Sequence, residues 1–135
     1  MREYRKMHRR HRKELVKLAK EIRPFDWCYL HDMVLMQIRQ MHEYYTKGNN
    51  VWQIDESRFE IIEQLKEVLD TQEAIERNYE DDCGLEFVYD EDGNIIKTIR
   101  PDNYSERVLH KYDEEIHLYE KFYTLIGKNI LSLWD

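Results

Sequence analysis

The stretch LHKYDEEIHLYEKFYTLIGKNILSL, residues 109–133, carries the strongest periodic signal in this chain. Its apolar residues recur at alternating spacings of three and four, the a/d pattern of a helix that buries one stripe against other helices. The stripe comprises Leu109, Tyr112, Ile116, Tyr119, Tyr123, Ile126, Ile130 and Leu133, and Phe122 and Trp134 widen it. Pro101 and Asp102 stand where such a helix would open. The pattern predicts a long final helix that anchors the fold.

Immediately before this helix the sequence changes character. The runs LEFVY and NIIKTI are rich in β-forming residues and are joined by DEDG, so residues 85–99 predict a β-hairpin. Because an isolated hairpin is marginal in water, we expect this one to lean on the helices or on another subunit.

Three further helices are predicted upstream. Residues 3–22 are amphipathic in their second half and end before Pro24, which excludes the preceding residue from the α region. Asp26 is placed to cap a second helix, and Asp55 or Ser57 to cap a third. The second helix carries an apolar stripe of Trp27, Leu30, Val34, Ile38, Met41 and Tyr45. The third carries Phe59, Ile62, Leu65, Val68 or Leu69, Ile75 and Tyr79.

The predicted fold is therefore mainly α: an antiparallel bundle of about four helices with a hairpin, about residues 85–99, inserted before the last helix. Low glycine (4) and proline (2) contents agree with long helices. A length of 135 residues suits a single domain, residues 1–135, in which residues 1–13 form a basic arm with little to bury. No apolar run approaches the ~20 residues that cross a bilayer. Two distant cysteines indicate reduced thiols in a cytosolic protein.

Charge is distributed unevenly along the chain. Residues 1–23 hold ten Lys/Arg against three acids, whereas the remainder holds eleven against twenty-five, for a total of −7. A basic arm on an acidic body binds polyanions, pairs with its own body or pairs with a second subunit. General nucleic-acid binding is disfavoured because the acidic body repels DNA.

Two groups of residues are candidates for ligand binding. The corner Arg23-Pro24-Phe25-Asp26-Trp27 joins two helices, and an exposed Arg23 beside Trp27 and Tyr29 would hold a phosphate and stack on a ring. The plainer interpretation is a rigid joint in which Phe25 and Trp27 clamp the helices together.

The second group follows one side of the second helix. His31, Leu35, Arg39 and His42 form a stripe beside the core stripe and near Tyr45, which would bind an anion. Solvated surface is the plainer interpretation. His8 and His11 stand one turn apart, but the surrounding cations disfavour a divalent metal, so no metal or cofactor is predicted.

Enzyme classes are the least favoured. Glu114-Glu115-Ile116-His117 supplies one E-x-x-H segment, whereas di-iron bundles need two and further glutamates. The sequence has no P-loop, no G-x-S-x-G and no glycine-rich dinucleotide loop.

Several segments resemble a set of small uncharacterised bacteriophage accessory proteins. These segments are IRPFDW (22–27), MHEYY (41–45), the stop at Gly48, Trp52 and KNILSLWD (128–135). The resemblance covers roughly residues 20–80 and 108–135, and Leu133 stands where a second tryptophan is usual. It implies a protein of the host-cell cytoplasm made during infection, where such proteins disable host defence.

Together these features predict a non-enzymatic binding protein that is a homodimer or higher oligomer. In this hypothesis it sequesters an anionic nucleotide signal of host defence, in a pocket where a two-fold axis duplicates Arg23, Arg39 and Trp27. The alternative is a protein–protein inhibitor that occludes a host defence protein through its acidic faces or basic arm.

Overall fold

A computed structural model of the chain describes residues 2–21, 27–47 and 56–129. Its elements in chain order are α1 (Arg2–Glu21), α2 (Trp27–Lys47), α3 (Glu56–Glu80), β1 (Glu86–Tyr89), β2 (Ile95–Ile99) and α4 (Tyr104–Asn129). The predicted fold class is confirmed, because the chain is mainly α with a two-stranded antiparallel hairpin inserted before the last helix. Pro24, Asp26 and Asp55 lie outside the described residues, so the corner and the two caps predicted there stay predictions. Ser57 lies inside α3 and does not precede it.

The described residues divide into two compact units. Unit 1 takes in the residues up to Leu69 and from Lys128 on, and unit 2 is Asp70–Gly127. The boundary falls within the continuous helix α3. The single-domain prediction for residues 1–135 stays a prediction.

Unit 1 buries apolar side chains of α1, α2 and α3. Leu65 and Val68 of α3 are 0% and 1% exposed, and Leu18, Leu35, Ile38 and Ile61 complete the buried set. These are the positions where a larger or smaller side chain disturbs a close-packed interior.

The buried face of α2 differs from the predicted stripe. Ile38 of the predicted stripe is buried, but so are His31 and Leu35 outside it, whereas Trp27 and Leu30 of the stripe are 58% and 62% exposed. Apolar residues occur on almost every side of the first half of α2, as Met33, Val34, Leu35 and Met36 show. The spacing therefore fixes the helix but not its rotation about its axis.

In unit 2, Lys111 of α4 forms hydrogen bonds with the C-terminal end of α3. Lys111 Nζ donates to the carbonyl of Tyr79, at 3.1 Å, and to that of Asp81, while Asn78 Nδ2 donates to the Lys111 carbonyl at 3.2 Å. The last carbonyls of a helix have no partner within it, and a lysine supplies donors and a favourable charge there. Leu118 and Phe122 are the buried side chains of α4.

The predicted heptad stripe of α4 is largely exposed. Leu109, Tyr112, Ile116 and Tyr123 have exposed fractions of 67%, 62%, 48% and 40%, whereas the buried Phe122 lies on the flank of the stripe. Ile130 and Leu133 lie outside the described residues. The heptad spacing thus located the helix correctly and its main buried face incorrectly.

The hairpin is closed by its own turn. Asp90 N donates to Asn94 O at 2.9 Å, and Gly93 has a φ of +83°, a conformation that glycine adopts without strain. Strand pairing runs from Glu86 opposite Ile99 to Tyr89 opposite Ile95, with a shift of register between Val88 and Tyr89. Every strand residue is solvent-exposed.

Candidate functional site: a cleft between α1 and α2

Glu43 is the centre of the polar contacts between α1 and α2. Its carboxylate accepts hydrogen bonds from Arg10 and from His11 Nε2, the latter at 3.2 Å. These two bonds, the one from Arg10 first, lower the pKa of Glu43 below its ordinary value. Glu43 is therefore ionised at neutral pH and offsets two neighbouring basic groups.

Gln40, which is 7% exposed, adds an amide link between the same helices. Its Nε2 donates to the His11 carbonyl at 3.3 Å and to Glu14 Oε2 at 3.2 Å. Glu14 also lies 3.6 Å from Arg10 Nε. Part of the basic arm thus pairs with its own body, and both nearby carboxylates are engaged in that pairing.

A cleft of about 310 Å³ opens beside these contacts. Its α1 wall includes His8, His11 and Arg12, and its α2 wall includes Tyr44 and Tyr45. Met7, Leu15, Gln37, Gln40 and Met41 complete the lining. The volume lies at the low end of the range for small-molecule sites, about 300–1,000 Å³.

Arg12 and Tyr44 give the cleft its chemical character. Arg12 is exposed and makes no hydrogen bond or ion pair with any residue that the structure describes. The ring of Tyr44 meets that of Tyr45 edge-on, with centroids 5.3 Å apart and planes at 81°. A guanidinium suits phosphate or carboxylate oxygens, and a tyrosine face suits a planar base.

Electrostatics favour an anion in this cleft. The helix α1 holds nine Lys/Arg against three Glu, and Arg10 and His11 already balance Glu43. Arg12 therefore faces a cleft whose described lining residues include no Asp or Glu. Such groups suit the oxygens of an anion.

The predicted site residues do not converge on the cleft. Tyr45 lines it, with its backbone carbonyl accepting from Arg58 Nε at 3.0 Å. By helical geometry His31, Arg39 and His42 lie on roughly the opposite side of α2. His31 is buried, Arg39 exposed and His42 half-buried.

The predicted corner is described in part. Trp27 is 58% exposed and meets His31 at 6.5 Å between ring centroids, with planes at 60°. Tyr29 is half-buried. Arg23 lies outside the described residues, so a phosphate site shared by Arg23 and Trp27 stays a prediction.

The sequence did contain a signal for the cleft. Gln37, Met41, Tyr44 and Tyr45 recur at helical spacing on one face of α2, as do His8, His11, Arg12 and Leu15 on α1. The sequence did not predict that these two faces pack together, because that depends on which side of α2 contacts α1.

Within residues 2–21, 27–47 and 56–129, no three His, Cys, Asp or Glu side chains cluster as metal ligands. In the same part of the chain no helix is both long and apolar enough to cross a membrane.

Comparison with known proteins adds no identity: no protein family, curated protein or solved structure significantly matches this chain. The class of site is therefore defined by its geometry alone, as a small cleft with a cationic edge and aromatic walls.

Proposed function

We propose that this chain is a non-enzymatic binding protein that holds an anionic, nucleotide-like small molecule in the cleft between α1 and α2. The supporting observation is the combination of Arg12, His8 and Tyr44 around one opening of about 310 Å³. In this proposal the guanidinium binds a phosphate and the Tyr44 ring stacks on the base.

The biological setting belongs to the same proposal. The resemblance to bacteriophage accessory proteins supports a role in the host-cell cytoplasm, where the protein sequesters a nucleotide signal of host defence. The ligand is held and not turned over. Assembly into a homo-oligomer is part of the prediction and is tested by light scattering at several protein concentrations.

Calorimetric titration with AMP, cyclic AMP, cyclic di-AMP, cyclic di-GMP and inorganic phosphate tests the binding step. A charged hydrogen bond contributes about 1.5–3 kcal/mol, so Arg12→Ala should weaken nucleotide binding by roughly 10- to 100-fold. The matched control is Arg9→Ala, which removes the same charge from an exposed position of α1 outside the lining of the cleft.

A second variant separates stacking from charge. Tyr44→Leu should weaken nucleotide binding several-fold and leave the affinity for inorganic phosphate unchanged, because leucine fills space without an aromatic face. Equal losses in Arg12→Ala and Arg9→Ala would show general attraction to the basic arm and would contradict a specific site. Absence of binding across the whole panel would reject the proposal.

A protein–protein inhibitor is the second candidate function. Unit 2 favours it, because its exposed large apolar side chains include Leu109 and Ile116 of α4 and Ile95 and Ile96 of β2. Apolar surface of this kind commonly marks an interaction site.

A further inference from the structure

The exposed side of α4 carries two parallel rows of different chemistry. The apolar row is Leu109, Ile116 and Tyr123, spaced by seven residues, with Tyr112 beside it; all four are at least 40% exposed. The acidic row is Glu106, Asp113 and Glu120, also spaced by seven, and all three side chains are exposed. A spacing of seven keeps each row on one side of the helix over its length.

The acidic row is not neutralised by the part of the chain that the structure describes. None of its three carboxylates forms an ion pair or hydrogen bond with a described residue. The surrounding unit 2 reinforces the charge, since residues 70–127 hold sixteen Asp/Glu against six Lys/Arg, a net of −10. Any helix that covers the apolar row also meets these carboxylates.

A second copy of α4 is a poor occupant for this face. In a parallel pair, Glu120 of one helix would meet Glu115 of the other, and in an antiparallel pair the two acidic rows would face each other. Like charges at such positions destabilise the pairing. The arrangement instead complements a helix that carries Lys or Arg along its edge.

We infer that the apolar and acidic rows of α4 form a docking surface for a basic amphipathic helix of a partner protein. The partner presents apolar residues at heptad a and d positions and lysine or arginine beside them. This surface makes the second candidate function specific. None of its residues is among the described residues that line the cleft between α1 and α2.

Three labelled three-heptad peptides test the surface by fluorescence anisotropy with the full chain. The basic peptide has Leu at a and d and Lys at e and g; the acidic peptide replaces Lys with Glu; the polar peptide keeps Lys and replaces Leu with Ser. The basic peptide should bind at least tenfold more tightly than either of the others. Equal binding of the basic and polar peptides would show that only net charge attracts the peptide and that the apolar row makes no contact. That result would overturn the inference.

Substitutions on α4 locate the contact. Ile116→Asp should weaken binding of the basic peptide at least tenfold, whereas His117→Asp, at the adjacent exposed position outside both rows, should change it less than twofold. The double variant Asp113→Lys, Glu120→Lys should reverse the preference towards the acidic peptide. Circular dichroism melts confirm that each variant is folded, which the exposure of all four positions favours.

The same variants decide between the partner and a second copy. Light scattering should show that the unmodified chain does not dimerise through this face. A dimer of the unmodified chain that becomes a monomer in Ile116→Asp would indicate self-association. If such a dimer is found and the basic peptide fails to bind, the face belongs to self-association and the inference is wrong.

Discussion

The carboxylates between α1 and α2 in unit 1 and those of the acidic row of α4 in unit 2 are used in opposite ways. In unit 1 the carboxylates of Glu14 and Glu43 are engaged by Arg10, His11 and Gln40 where α1 meets α2. In unit 2 the acidic row of α4 engages no described residue and faces solvent. These carboxylates thus contribute to packing in unit 1, whereas the acidic row of α4 in unit 2 remains exposed.

The difference follows from local composition. The basic helix α1 supplies cations to the nearby acids of α2, and enough remain for Arg12 to face the cleft. The region 70–127 has too few cations to neutralise its acids, and Lys111 is occupied by the end of α3. A local excess of charge of one sign therefore predicts a surface whose charged side chains stay available to a partner. A local balance of positive and negative charge predicts ion pairs between packed helices.

The largest effect is expected from Phe122→Ala in unit 2. Phe122 is 0% exposed, and truncating a buried phenylalanine typically costs about 3–5 kcal/mol in the free energy of unfolding. Tyr112→Ala is the control on the same helix, because Tyr112 is 62% exposed and should lose less than about 1 kcal/mol. Urea denaturation measures both. A large loss in Tyr112→Ala would mean that the docking surface of α4 is already covered in solution.

The next effect is expected at Gly84, in the loop after α3. Gly84 has a φ of +80°, and an added Cβ would clash with the guanidinium of Arg107. Gly84→Ala should therefore cost about 1–2 kcal/mol, most of it for the backbone, because the exposed end of the flexible Arg107 side chain can move aside at little steric cost. Gly93→Ala is the matched control, since it has a φ of +83° but no atom within 4 Å of the added Cβ.

A double variant isolates the steric contribution at Gly84. Combining Gly84→Ala with Arg107→Ala should recover the steric part and leave the backbone part, which a double-mutant cycle resolves. Additive losses would show that Arg107 moves aside without cost.

The sequence predicted the elements well because each has a strong local cause. The DEDG turn and its flanking β-forming runs fixed the hairpin, and the a/d spacing fixed α4. These causes lie within each segment itself, so no knowledge of tertiary packing was required.

The rotation of each helix was predicted less well. On α2 and α4 there are more apolar residues than one buried face can hold. The spacing therefore predicted that Trp27 and Leu109 are buried, whereas both are exposed. Which face is buried depends on the partner helix, and a single sequence does not specify it. The candidate site suffered the same limit: Tyr45 was predicted and lines the cleft, while Arg12 and Tyr44 were missed because their faces meet only after α1 packs on α2.

Glu43→Gln tests the claim that charge is used in the packing of unit 1. The ion pair between Glu43 and Arg10 is partly exposed, with side-chain exposures of 26% and 52%. Its loss should therefore lower the free energy of unfolding by only about 1 kcal/mol. Glu63→Gln, at an exposed position of α3, should be near neutral. Because the pKa of Glu43 is lowered on folding, its contribution is present above the ordinary carboxyl range and lost as pH falls through the lowered value. Unmodified protein should therefore lose more stability on acidification than Glu43→Gln; parallel pH profiles would contradict the role.

The smallest effect on global stability is expected at Asp90, where an acid of unit 2 is used locally after all. Its Oδ1 accepts from the backbone N–H of Asn94 at 2.8 Å and of Asp92 at 2.9 Å, and these bonds, the one from Asn94 first, lower the pKa of Asp90. Asp90→Ala should reduce the cross-strand NMR contacts between Val88 and Lys97, while the unfolding midpoint of the chain stays unchanged. Glu91→Ala, at the next turn position, should retain those contacts.

The pH dependence of the hairpin follows from the same bonds. Hairpin order should be complete at neutral pH and should fall as Asp90 is protonated, because the neutral carboxyl is the weaker acceptor. If Asp90→Ala instead lowers the unfolding midpoint as much as Gly84→Ala does, the hairpin is part of the cooperative core of unit 2. The hairpin would then not be an element that orders independently of the rest of unit 2. The comparison between carboxylates used in packing and carboxylates left exposed would then rest on α4 alone.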